Sequence, residues 1–542
     1  MTGRGFIRNF FVGMMAMMPL YVMGLGKADY EVVPIPRSME LKDGKPFVLD
    51  SNTTIACGAD DPSLQRNAEM LARYIKDITG LDIEVNNKVT NVGKQIVLST
   101  GLSNTNPEGY KITVTPDKIE IEGASAAGNF YGIQTLRKSI PADNKGSVEF
   151  PPVTINDYPE FGYRGAHLDV ARHFFPADSV KTYIDMMALH NMNRLHWHLT
   201  DDQGWRLPLK KHPELITKGS VRRGTCIGKD FSSCDSIPYG GFYTPAEIQE
   251  VIDYAADHYI TIIPEIDLPG HMLAALTAHP DLGCTGGPYE LWTIWGVSED
   301  VLCAGNDGVY QLLEDVLTEV AEIFPSEYIH IGGDECPKDR WKECPKCQAK
   351  IEELQLKDDE NSSKEDKLQS YVMSFASDVL TKHGKKIIGW DEILEGGLPD
   401  NAIVMSWRGA AGGQAAAEMG HDAIMTPYTH YYLDYYQSQD TENEPLAIGG
   451  YIPLSKAYSF EPFNGIAPEN QHHILGVQAN LWTEYIHTFD HLQYMALPRW
   501  AALSEVQWSI PSTRNFEAFK KRLSRLLTHY SLNGYNYSYR QE

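Results

Sequence analysis

The sequence predicts an α/β protein, a (β/α)8 barrel of the TIM type preceded by a small α+β domain, on three observations. Eight short apolar runs, each closing in polar or aromatic residues and separated from the next by a helical stretch, lie between Gly165 and Ala479. A stretch containing Pro151, Pro152 and Pro159 divides this region from a shorter one with a different rhythm of strands and helices. The 542 residues exceed one compact domain of common size and suit a large barrel with a smaller companion.

Residues 1–28 read as an export signal, because Arg4 and Arg8 precede an apolar run over 10–25 and Gly26-Lys27-Ala28 offers a small-x-small cut site. An uncleaved membrane anchor is the rival reading, opposed by the shortness of the run and by Gly24 and Gly26 at its end. The first cysteine is Cys57, so no lipid acceptor lies at the cut site. The mature chain is expected to begin near Asp29, in the periplasm or outside the cell.

Residues 29–158 are the expected small domain. Strands of an antiparallel sheet are expected at 96–99, 110–115 and 118–122. Helical spacing covers 67–79 with Gly80 as its stop, and a second helix over 129–140 ends before Pro141. Residues 159–542 are the expected barrel, with strands at 165–170, 194–199, 260–264, 328–331, 386–390, 402–407, 422–425 and 475–479. An amphipathic helix over 515–532, rich in Lys and Arg, closes the chain as packing. No repeat of fixed period is visible, which excludes a solenoid.

Hydrophobic residues at 42% and charged residues at 22% give the balance of a globular protein with a sizeable core. A formal net charge of -25 argues against nucleic acid or an anionic membrane surface as partner, since both are held by Lys and Arg. A neutral substrate suits the chain better. Eight cysteines in an exported chain favour disulfides, and the local pairs Cys226 with Cys234 and Cys284 with Cys303 are expected. Cys344-Pro-Lys-Cys347 has the spacing of half a zinc site, but no second Cys-x-x-Cys or His pair follows at metal spacing, so a local disulfide or two free thiols is expected there.

The active site of such a barrel lies at the C-terminal ends of its strands. Read in order, they give Arg164 and Asp169 around the first strand, Asp201 and Asp202 after the second, Glu265, Asp267 and His271 after the third, and Asp334 and Glu335 after the fourth. The later ends add Trp390 and Asp391, Trp407 and Arg408, Tyr432 and Asp434, and Trp482 and Glu484. Indoles and carboxylates recurring together suit a sugar, whose C–H faces stack on rings while carboxylates hold its hydroxyls.

The strongest element is His330-Ile-Gly-Gly-Asp-Glu335. Its glycines allow a sharp turn or a close backbone approach, and its adjacent carboxylates repel one another when both are ionised, so one should hold its proton more tightly. That is the property of a general acid for a glycosidic oxygen. A solvated Asp-Glu in a loop is the plainer alternative.

With Arg164-Gly-Ala-His-Leu-Asp169, Arg172-His-Phe, His196-Trp-His-Leu-Thr-Asp201-Asp202-Gln-Gly-Trp-Arg206, Pro264-Glu-Ile-Asp-Leu-Pro-Gly-His271 and Trp482-Thr-Glu484, this motif resembles family 20 of the glycoside hydrolases, the β-N-acetylhexosaminidases. The resemblance covers nearly all of the chain after the leader. It implies hydrolysis of terminal N-acetylhexosamine by substrate-assisted catalysis, in which the sugar's own acetamide attacks its anomeric carbon to give an oxazoline-type intermediate. Exo action is expected because the strand ends form a pocket and not an open cleft. It implies Glu335 as general acid and base, Asp334 as the group orienting the acetamide N–H, and Tyr432 as donor to the acetamide oxygen. Tyr428, Tyr431, Tyr435 and Tyr436 share that loop, and a shift of register would exchange Tyr432 for one of them.

The resemblance further implies a relay in which Asp201 holds His271 and His271 tunes Glu335. Arg164, Asp434 and Glu484 would grip ring hydroxyls, while Trp390, Trp407 and Trp482 wall the pocket with Trp482 under the ring. No cofactor or metal is implied. A metal-dependent hydrolase remains a rival, because His196 and His198 share one face of a strand. So does a sugar-binding protein without catalysis.

Overall fold

The computed structural model describes residues 25–58, 61–90 and 93–540. The expected leader up to residue 24 lies outside the described residues. Gly26–Lys27, next to the expected cut site, pair in parallel with Val148–Glu149. Among the described residues, no helix is long and apolar enough to cross a membrane.

Eight parallel strands close a barrel in chain order. They are β1 (Tyr163–Asp169), β2 (Arg194–His198), β3 (Thr261–Leu268), β4 (Tyr328–Gly332), β5 (Lys386–Trp390), β6 (Ile403–Ser406), β7 (Ala423–Met425) and β8 (Ile474–Ala479). Closure comes from β8 lying against β1, with Gly476 opposite Tyr163. Strands covered on both faces need continuous apolar runs, and all seven residues of β1 are buried. Helices on the outer face start where side chains satisfy their free N–H groups. Thr244 with Glu247 caps Pro245–Asp257, and Ser363 with Asp366 caps Lys364–Lys382.

β3 runs on past the expected 260–264. Glu265 pairs opposite His198 of β2 and His330 of β4, so the polar end of the run stays in the ladder instead of turning into a loop.

The small unit holds a seven-stranded sheet that is mixed, not antiparallel as expected. Gln95–Thr100 lies parallel to both Thr54–Cys57 and Lys118–Gly123, whereas Tyr110–Val114 is antiparallel to Lys118–Gly123 and Val153–Asp157 is antiparallel to both Tyr110–Val114 and Ser38–Leu41. The helix Pro62–Thr79 supplies the crossover that parallel neighbours require. It starts earlier than its apolar spacing suggests because Asp61 caps it and Pro62 occupies its first turn. It ends at Gly80, in the left-handed conformation at φ 78°.

None of the eight cysteines is in a disulfide. Cys226 and Cys234 stand opposite one another in a short antiparallel pair but are not bonded. The expected Cys284–Cys303 bond is likewise replaced. Both sulfurs join those of Cys344 and Cys347 in one cluster.

Candidate active site

β4 delivers the Asp334–Glu335 pair by an abrupt change of direction. Gly332 and Gly333 have φ of 65° and 96°, and a Cβ on Gly332 would stand 1.7 Å from Asp267 Oδ1. Only glycine fits so close a backbone approach. Asp334 and Glu335 then emerge at the barrel mouth, and Glu335 itself holds φ 45°, a strained conformation for a side-chain-bearing residue. They line a cavity of about 380 Å³ together with His271, Tyr432, Trp482 and Arg172.

The carboxylates differ in environment. Asp334 has a side chain 12% exposed, against 41% for Glu335. Burial, reinforced by Glu335, raises the Asp334 carboxyl to about 7. Glu335 is held below the ordinary carboxylate range by its hydrogen bond to His271. The tighter proton of the pair therefore sits on Asp334 in the free protein.

His271 stands between two acidic groups. Its Nδ1 lies 3.2 Å from Asp201 Oδ1 and 3.2 Å from Asp202 Oδ2, and its Nε2 lies 3.4 Å from Glu335 Oε2. Burial works against the charged ring, but Asp201 outweighs it and holds His271 well above its ordinary value. Asp202, to which the sequence assigned no role, shares the hold on His271 and also accepts from the Leu273 N–H at 3.1 Å.

Arg164 is not in the pocket. It is the second residue of β1, at the strand's N-terminal end, and its fully buried guanidinium grips Glu108 of the small unit at 2.7 and 2.9 Å. The arginine at the mouth is Arg172, 2.8 Å from Asp201 and 3.2 Å from Asp169, with its guanidinium 5.0 Å above the Trp482 ring. Its position beyond the C-terminal end of β1 was the available signal.

Trp390 also lies outside the lining. It is 1% exposed, its indole donates to Glu265 Oε1 at 2.9 Å, and its ring lies 5.7 Å from that of Trp482. It supports the pocket from within the barrel. Trp482 and Trp407 do line the cavity, and Trp407 stacks on Tyr432 at 5.9 Å with 20° between planes. Of the crowded tyrosines, Tyr432 and Tyr435 reach the cavity.

Asp434 and Glu484 also line the cavity. Burial, then mutual repulsion, raises Asp434 well above the carboxylate range, and burial also raises Glu484. The buried oxygens Asp334 Oδ1 and Asp434 Oδ1 have no protein partner among the described residues. The lining also includes residues without an assigned role in the sequence, among them Asp267, Trp295, Val297 and Tyr485. Asp267 accepts from the Gly333 N–H at 3.3 Å, and burial, then the neighbouring Asp334, raises its carboxyl well above the ordinary carboxylate range.

His196 and His198 hold a carboxylate. His198 Nδ1 lies 2.5 Å from Glu265 and its Nε2 lies 2.8 Å from Asp201, so both of its ring nitrogens are taken up by carboxylates. Against burial, Glu265 and Asp201 raise this ring to about 10. His196 Nε2 approaches the same Glu265 at 2.9 Å.

The model of the glycosyl hydrolase family 20 catalytic domain matches residues 161–511, and that of the family's domain 2 matches residues 29–158. A beta-hexosaminidase of Porphyromonas gingivalis is 44% identical over 517 residues, which cover 93% of this chain and 64% of that protein. The chain thus spans a little under two thirds of this relative's length. The solved GH20 beta-N-acetylhexosaminidase of Streptomyces coelicolor superposes with a TM-score of 0.80 at 31% identity, covering 94% of this chain and 97% of the other. An exo beta-N-acetylglucosaminidase of Vibrio harveyi in complex with N-acetylglucosamine gives a TM-score of 0.81 at 31% identity, covering 95% of this chain and 79% of that one.

Proposed function

The chain belongs to glycosyl hydrolase family 20, and from that membership we propose that it is an exo-acting β-N-acetylhexosaminidase, releasing terminal non-reducing N-acetylhexosamine by substrate-assisted, retaining catalysis. The observation that carries this reading is the placement of Asp334, Tyr432 and the Glu335–His271 pair around one cavity that Trp482 also lines. A pocket of about 380 Å³ takes one terminal sugar rather than the middle of a chain.

The chemistry follows from the charges. In the free protein the proton of the His271–Glu335 pair sits on His271. A bound glycan displaces water from Glu335, and a low-dielectric site favours a neutral pair over an ion pair, so the proton crosses the 3.4 Å gap to Oε2. Glu335 then protonates the departing glycosidic oxygen. As that bond breaks, the acetamide oxygen, held by the Tyr432 hydroxyl, closes on the anomeric carbon.

Positive charge develops on the acetamide nitrogen, whose N–H points at Asp334. That charge favours the carboxylate form of Asp334, which stabilises it. Glu335, now ionised, takes a proton from the water that opens the oxazoline, and the product keeps the β configuration. Arg172 keeps Asp201 anionic, and Asp201 keeps His271 supplied with its proton.

The test compares initial rates of aryl release from an aryl N-acetyl-β-glucosaminide and from the matching β-glucoside, with wild type and Glu335→Gln. Turnover confined to the acetamido substrate, and slowed about 10²- to 10⁴-fold in the variant, is expected. Comparable turnover of the plain glucoside would overturn acetamide participation. Binding of N-acetylhexosamine without any turnover would favour the sugar-binding reading.

Export is proposed on Arg4, Arg8 and the apolar run over 10–25. N-terminal sequencing of protein recovered outside the cytoplasm should read from a position near Asp29, and an intact Met1 would oppose it.

A further inference from the structure

Four cysteines that take no part in the chemistry above meet at one point. Cys284 and Cys303 stand at the two ends of an excursion that leaves and rejoins the fold through the bridge between Gly283 and Leu302. Cys344 and Cys347 belong to the segment that continues from Glu335, at the start of the helix Pro345–Glu353. The Cys303 Sγ lies 3.6 Å from Cys344 Sγ and 3.6 Å from Cys347 Sγ, and Cys284 Sγ lies 3.8 Å from Cys347 Sγ. All four ligand atoms fall within 4.8 Å of one another.

From this geometry we infer that Cys284, Cys303, Cys344 and Cys347 form a structural zinc site. A tetrahedron with Zn–S bonds of about 2.3 Å has edges of about 3.8 Å, the spacing found here. A disulfide needs an S–S separation of about 2.05 Å and joins sulfurs in pairs, whereas Cys303 is equidistant from two partners. Cys303, Cys344 and Cys347 are buried and Cys284 is half-buried, so four soft ligands face one protected centre. A closed set of four thiolates leaves no position for water or substrate, which makes the ion a structural element.

Local backbone supports the same centre. A Cβ on Gly305 would stand 2.1 Å from the carbonyl carbon of Lys346, so the chain after Cys303 lies directly against the Cys344–Cys347 turn. Binding replaces four thiol protons, with one Zn²⁺ entering and four H⁺ leaving to give a tetrathiolate of net charge −2.

The site staples two pieces of the pocket. The excursion between Cys284 and Cys303 carries Trp295 and Val297 to the cavity wall, and the other two ligands continue the segment bearing Asp334 and Glu335. The zinc fixes that wall against the catalytic pair and takes no part in proton transfer.

The decisive measurement is metal content and thiol state of the untagged full chain purified without chelator. Elemental analysis should find one zinc per chain. A mercurial reagent should release it as the thiols are titrated, followed with a colorimetric zinc indicator. Alkylation in denaturant with chelator, without reductant, should then modify all eight cysteines. The double variant Cys344→Ser/Cys347→Ser should lose the metal, while Cys226→Ser keeps it. Because the double variant can fail to fold, the wild-type counts stand as the test by themselves. Eight free thiols without metal, or disulfide-linked peptides joining these four cysteines, would overturn the inference.

Discussion

Asp334 and Glu335 are neighbours in sequence, yet burial separates their protons, and that separation is measurable. If ionised Asp334 must stabilise the acetamide, kcat/KM should fall on the acid side at a pH well above the usual carboxylate range, because the free Asp334 carboxyl is raised to about 7. In Asp334→Asn this limb should disappear together with most of the activity; an unchanged limb would assign it elsewhere. The sign for stability is also fixed. The folded state holds the Asp334 proton more tightly than the unfolded chain does, so this group's contribution to stability falls as pH rises from about 4 to about 7. Tyr432→Phe removes a single donor to the acetamide oxygen and should lower kcat about 10²-fold with little change in melting temperature. A loss appearing only in KM would place that hydroxyl elsewhere on the sugar. The residue types and their order are legible in the linear chain. The direction of the proton is not, since it depends on 12% against 41% side-chain exposure and on the 3.4 Å approach of His271.

Strand ends are where the chain converts periodicity into chemistry, and β4 shows the cost of doing so. Gly332→Ala would drive a methyl group into Asp267 and strain a backbone at φ 65°, so a loss of about 1–3 kcal/mol is expected in denaturant titration, with kcat falling as the Asp267–Asp334 spacing shifts. Full activity and stability in that variant would mean the turn can relax. The eight barrel strands were visible as apolar runs because a strand covered on both faces admits little else. The overrun of β3 was hidden, because Glu265 and Asp267 read as loop residues until their partners are known. The mixed sheet of the small unit was hidden for a related reason: an isolated apolar run carries no mark of the direction of its neighbour.

On the scale of the whole molecule, Arg164 joins the two units by its ion pair with Glu108 at the bottom of the barrel, far from the mouth along β1. Arg164→Met leaves the Glu108 carboxylate without its main partner, and a loss of about 3–5 kcal/mol is expected while kcat/KM per folded protein stays unchanged. Loss of kcat/KM at constant melting temperature would instead return Arg164 to the sugar. The sequence by itself determined the barrel, its preceding small unit, the family and most of the cavity's residues, because apolar periodicity and short motifs are written locally along the chain. Tertiary structure alone decided that Arg164 grips Glu108 of the small unit, that Trp390 is buried beside Trp482 instead of lining the pocket, and that four cysteines from two distant segments share one centre. Those facts depend on which segments the closed barrel brings side by side, and linear spacing does not record that.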